Sequence, residues 1–189
     1  MLSSIHPLGE RARSNRWATT ITAFALGSLV GGLALTAVAS QVGVLVGFRV
    51  ASPWVLIPLA VAAIADLIGI PVTSPHRQVN ERWIGTYRGW VYGFGFGIQL
   101  GIGFATYVVT WTLPGLVATL VLAGQPGLGL AAGVAFGLGR AVPLVAAGWI
   151  DRPERLNRFH MKVADLGRIA RFVNAAAVVV VAGLAMGTS

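Results

Sequence analysis

The sequence predicts an all-α fold, a polytopic bundle of about five transmembrane helices forming a single domain over residues 1–189, and three observations carry that prediction. Hydrophobic residues make up 56% of the chain and charged residues 11%, against roughly 25% charged in a soluble domain. The uncharged runs are long: Ala18 to Phe48 holds no charge, Val50 to His76 only Asp66, and Gly89 to Ile150 only Arg140. A spanning helix needs about 20 mostly apolar residues. Finally, Lys and Arg gather in three segments, which the positive-inside rule assigns to the cytoplasm. A transmembrane barrel would instead show alternating segments of about ten residues, and these runs are continuously apolar.

Taken in order, the first span covers 18–47 and follows Arg11, Arg13 and Arg16. Ala37-Val38-Ala39 has the look of a signal-peptide cleavage site, but the apolar stretch before it exceeds the usual core of about 7 to 15 residues. The span is therefore expected to stay uncleaved, with the N-terminus cytoplasmic. The second span covers 53–72, after a turn carrying only Arg49, and returns the chain to the basic loop of Arg77, Arg82 and Arg88. The third runs over 89–123, too long for one straight crossing. Pro114-Gly115 should kink it, and a split there would give six spans. The uncharged turn Ala123 to Gly127 faces outward, and the fourth span covers 128–149. A basic loop over 151–171 follows, in which Leu156, Phe159, Val163, Leu166 and Ala170 recur at helical spacing. This predicts an amphipathic helix over 151–168 on the cytoplasmic face, with anionic lipid or a docked protein as its partner. The last span is expected over 169–187. Trp17, Trp54, Trp83, Trp90 and Trp149 fall near these span ends, where indoles prefer the headgroup level.

The net charge of +8 sits almost wholly in the loops, so it marks topology and not a nucleic-acid partner. The chain has no cysteine, which excludes a disulfide, a thiolate metal site and thiol redox chemistry. His6, His76 and His160 lie in surface segments without zincin spacing, and no phosphate loop or nucleophile–base pair is evident. No enzyme activity, metal or other cofactor is expected.

Four features can carry function. Gly89, Gly93, Gly97 and Gly101 recur every four residues, as do Gly129, Gly133 and Gly137. Such stripes let helices pack closely in lipid, or slide past one another during transport. Asp66 and Arg140 are the charges inside the hydrocarbon, at matching depths about 4.5 Å and 3 Å to the cytoplasmic side of their span centres. An ion pair between them, static or gated, is the expectation. Gln99, Thr106, Tyr107, Thr110 and Thr112 precede Pro114 and are candidates to line an internal site, although Thr hydroxyls also bond their own helix carbonyls. Lastly, an offset of 70 residues pairs Phe24 with Phe94, Gly27 with Gly97, Gly31 with Gly101 and Thr36 with Thr106. If this reflects a repeat, the two units run parallel.

The stretch from Gly93 to Gln125, followed by Gly129 to Gly148 with its Gly-Leu-Gly-x-x-x-Pro-Leu pattern over Gly137 to Leu144, resembles the transmembrane domain of the CcdA/DsbD family. That family moves electrons from cytoplasmic thioredoxin across the membrane for cytochrome c biogenesis or thiol reduction, through one cysteine in each repeat. The resemblance covers about a third of the chain and implies the scaffold without the electron transfer, since the cysteines are missing. Two functions follow as expectations: a small-solute or ion transporter, acting as a homo-oligomer in the cell (inner) membrane, or a non-transporting membrane subunit that anchors or assembles a larger, redox or cytochrome-related complex.

Overall fold

A computed structural model describes residues 7–48, 53–72, 82–104 and 110–146. These residues are helical, with no strand among them. The helices are α1 (Pro7–Ala12), α2 (Trp17–Val46), α3 (Ile57–Leu67), α4 (Arg82–Thr86), α5 (Gly89–Ile102), α6 (Thr112–Ala123) and α7 (Pro126–Ala146), and a 3-10 turn (Pro53–Leu56) leads into α3. The expected amphipathic helix and last span, together with Thr106 and Tyr107, lie outside the described residues.

Two of these helices, α2 and α7, are long and apolar enough to cross a membrane. Only 33% and 28% of their most apolar stretches are buried inside the molecule, so most of that surface faces outward. Leu45 is 84% exposed and Val38 63%. This is the reverse of a soluble core helix, which hides its apolar side.

The molecule is built around α2. Its N-terminal half lies along α5, with Thr20 beside Gly93 and Gly31 beside Gly101, so the two helices run parallel. A different face of α2 meets α7, with Ser40 beside Gly129 and Leu29 beside Gly137, so that pair is antiparallel. Farther along, Gly43 touches the Val121 carbonyl of α6. Backbones meet directly at all three places: a Cβ built on Gly97 would stand 2.7 Å from the Ser28 nitrogen, and one on Gly137 2.7 Å from the Ser28 carbonyl. Packing this close stabilises helices in lipid, where no hydrophobic drive separates a leucine from an acyl chain. At the end of the bundle where α2 and α5 begin, Ile21, Phe24, Tyr92, Phe96, Ala141 and Leu144 form the largest buried cluster, and Trp83 stacks on Phe96 at 6.0 Å.

The 70-residue offset acquires a geometric meaning. A Cβ on Gly97 would lie 3.0 Å from Gly27 Cα, and one on Gly31 2.9 Å from Gly101 Cα. Positions equivalent in the two sequence units therefore face each other across the α2/α5 seam, as they would across a parallel two-fold axis. Beyond this seam, α2 packs on α7 and α6 packs on α3.

The segment 89–123 is not one kinked helix. α5 ends at Ile102, Gly103 turns the chain with φ +72°, and a separate helix, α6, begins at Thr112. Pro114 lies in the first turn of α6, where its missing N–H has no intrahelical acceptor to lose. Its position marks where a helix begins, whereas the sequence reading took it for a kink within one. At about 1.5 Å per residue, the 12 residues of α6 rise about 18 Å and the 11 of α3 about 16 Å, each roughly half of a hydrocarbon thickness of about 30 Å.

Candidate functional site

Asp66 stands one residue before the end of α3 and is 9% exposed. Its carboxylate accepts the Trp111 N–H on Oδ1 at 2.7 Å, and on Oδ2 the Thr112 N–H at 3.1 Å and the Thr112 hydroxyl at 2.8 Å. These donors are the start of α6. The negative side chain of one half-length helix thus caps the positive end of another, satisfying N–H groups that an interrupted span would leave bare. A further link ties the same ends together, with the Trp111 indole donating to the Ile70 carbonyl at 3.0 Å. Below Asp66, Gly115 lies against Ala62 and Pro58, which seats α6 on α3.

The ion pair expected between Asp66 and Arg140 is absent. Among the described residues the ion pair present joins Glu10 to Arg13, and the Arg140 guanidinium rests 5.3 Å from the centre of the Phe136 ring, one turn back on its own helix. Matched depth did not bring the two charges together, because depth fixes height along a helix and not the direction in which the side chain leaves it. Of the other candidates, Gln99 is half-buried on α5, Thr110 half-buried in the connection before α6, and Pro114 half-buried in the first turn of α6. Among the described candidates, Thr112 alone joins Asp66. Gly89, Gly93, Gly97, Gly101, Gly129, Gly133 and Gly137 are all buried, and each faces α2 or its approach.

A second polar centre escaped sequence reasoning. Glu10 is fully buried, and its carboxylate accepts the Thr20 hydroxyl at 2.9 Å, the Tyr92 hydroxyl at 2.5 Å and the Arg13 guanidinium at 2.7 Å. Desolvation lowers the basicity of Arg13, but the hydrogen bond and charge of Glu10 outweigh it and hold the guanidinium above its ordinary value. The chain reverses between α1 and α2 through Ser14, at φ 58°, with Asn15 N–H bonded to the Glu10 carbonyl at 2.8 Å. α1 is thereby clamped onto the starts of α2 and α5. Glu10 sits among Arg11 and Arg13 in sequence and reads as a solvated charge. Its partner Tyr92 is 82 residues away.

These features define a class: a helical bundle with membrane-type glycine packing and a broken helix capped by an internal carboxylate. Comparison with known proteins makes the reading more specific. Over 151 residues, 76% of its length, the chain is 30% identical to the methylamine utilization protein MauF of Paracoccus versutus. It is 26% identical to the protein of that name from Paracoccus denitrificans and 27% to that from Methylophilus methylotrophus. The chain spans about half the length of these relatives, 55%, 54% and 53% respectively. No protein-family model and no solved structure matches it.

The resemblance to the CcdA/DsbD family is thereby corrected, since the relatives found are MauF proteins. The motif that suggested it has a simpler physical origin. In the Gly137–Leu144 pattern, Gly137, Ala141 and Leu144 are the buried positions of α7, so the spacing records close contact with α2 and is open to any tightly packed helix.

Proposed function

We propose that this chain is an integral membrane accessory protein of methylamine utilization, one that holds or assembles other components and does not itself carry solute. The observation that carries the proposal is the similarity to three proteins named for methylamine utilization, extending over 76% of the chain. The geometry supports the non-transporting reading over the transporting one. The seams around α2 are closed backbone to backbone, and the Asp66 carboxylate, the strongest candidate for a moving charge, is committed to the start of α6 by three hydrogen bonds.

The same proposal places the chain in the cell membrane with the N-terminus cytoplasmic and about five crossings. Outward-facing apolar surface on α2 and α7 supports this, as does the pairing of half-length helices, since broken backbone at membrane depth survives only where its polar groups are met from within the protein. The absence of cysteine makes orientation directly measurable. A single cysteine at Gln125 is expected to react with an impermeant maleimide in intact cells, and one at Asn15 only after permeabilisation.

Function is tested by deleting the gene and supplying wild type or vector alone. Cells without the protein are expected to grow normally on other nitrogen and carbon sources and to fail on methylamine. Normal growth on methylamine overturns the proposal. Reconstituted into liposomes, the purified chain is expected to pass no methylamine above the empty-vesicle rate, and saturable flux would restore the transporter.

A further inference from the structure

Beside the α2/α5 seam, two depressions share an edge. The first, a cavity of about 300 Å³, lies at the beginning of both helices and is walled by Asn15, Arg16, Thr20, Arg88 and Gly89. The second, about 460 Å³, runs down the outer flank between Ala18, Ala23, Leu26 and Trp90. Thr19 and Trp90 line both. One is polar and carries two cations, and the other is mostly apolar.

Resting on the membrane reading given above, we propose that these adjoining depressions form a binding site for one anionic phospholipid on the cytoplasmic side. The phosphate lies between Arg16 and Arg88, and the upper part of an acyl chain lies in the groove over Ala18 and Leu26.

Charge, shape and position agree on this occupant. Among the described residues the acidic group near the cavity, Glu10, is buried and engaged by Arg13, Thr20 and Tyr92, so it does not neutralise Arg16 or Arg88. Both arginines are exposed and stand at the N-caps of α2 and α5. Neither arginine side chain bonds the first turn of its own helix, and the positive ends of the two helices add to the field of the two guanidiniums. A free phosphate would satisfy the cavity alone. The apolar groove opening from it is what favours a lipid, whose charged head and hydrocarbon tail have the same order along the membrane normal as the two depressions. Trp90, at their shared edge and 54% exposed, sits where an indole meets the headgroup layer.

The test is native mass spectrometry of the full chain in detergent, with phosphatidylglycerol, phosphatidylcholine or inorganic phosphate added. One phosphatidylglycerol per chain is expected to be retained about tenfold more strongly than phosphatidylcholine, a ratio typical of a charge-assisted site. Arg16→Gln and Arg88→Gln should each weaken the preference and together abolish it, and Arg11→Gln, equal in charge to either single change but outside the cavity, should leave it intact. Ala18→Phe, an exposed position that fills the groove without touching charge, should weaken retention of phosphatidylglycerol by a similar factor. Equal retention of the two lipids overturns the site, as does a preference that survives the arginine changes. Retention unmoved by Ala18→Phe but competed away by inorganic phosphate would make it a free-anion site. A chain recovered in the aqueous fraction without detergent would overturn the membrane reading itself, whereas a detergent-dependent chain without lipid preference would overturn only the site.

Discussion

The seam where α2 meets α5 and the junction where α3 meets α6 are held together by opposite means. In the seam, Gly27, Gly31, Gly97 and Gly101 let two backbones touch, and charge enters only where the helices begin, at Glu10. At the junction a single carboxylate, Asp66, holds the start of a helix that would otherwise begin uncapped. The difference shows how one small bundle combines two tasks. The neighbours of the long helix α2 are fixed by the absence of side chains, and the half-length helices α3 and α6 by one side chain placed at the right end. Each region should therefore fail to a different kind of substitution.

The largest effect is expected from adding volume to the seam. Gly97→Val would drive methyl groups into the Phe24 carbonyl and the Ser28 nitrogen, and is expected to cost about 3 kcal/mol or more because neither backbone can yield without parting the helices. Thermal unfolding in detergent, followed by circular dichroism, reads the loss. The same substitution at Gly139, where no atom lies within 4 Å, should leave the midpoint nearly unchanged.

Removing charge is expected to matter at the junction, where one carboxylate holds the start of α6. Asp66→Ala strips three donors of their acceptor and should cost about 2 to 3 kcal/mol. Asp66→Asn, which keeps one acceptor oxygen, should cost about half as much. Hydrogen exchange sharpens the comparison: amides at the start of α6 should lose protection in both variants while those of α2 keep theirs. Uniform loss across the molecule would mean that the two regions are not separable.

A smaller effect is expected from Ser28→Ala. The Ser28 hydroxyl donates to the Gly137 carbonyl at 2.8 Å, the one side-chain hydrogen bond between α2 and α7 among the described residues. Its removal should cost about 1 kcal/mol, measured as a shift in the same unfolding midpoint. The smallest is Gly139→Ala, expected to stabilise α7 by about 0.5 to 1 kcal/mol through helix propensity alone.

What the sequence made legible follows from the range over which each signal acts. Long uncharged runs and four-residue glycine spacing are properties of one helix, and they pointed to α2, α5 and α7 because a helix face repeats along its own chain. The 70-residue offset was faint as a motif, yet its paired glycines turn out to face each other. The carboxylate partners were not legible. Asp66 was set against Arg140 on depth alone, and two of the three donors that hold it are backbone N–H groups, which have no letter in a sequence. Pro114 was read as a kink because proline disrupts a helix interior, but it is equally at home in a first turn, and only the break at Gly103 decides between the two. Glu10 was unremarked because its burial depends on a turn at Ser14 and a tyrosine 82 residues away.

The central claim is that this chain serves methylamine utilization from within the membrane without transporting solute. The most direct measurement is uptake of isotopically labelled methylamine by cells lacking the gene, taken before growth diverges. The account predicts the wild-type initial uptake rate together with lost growth on methylamine. A fall in initial uptake that wild type restores would contradict it and make the chain a carrier.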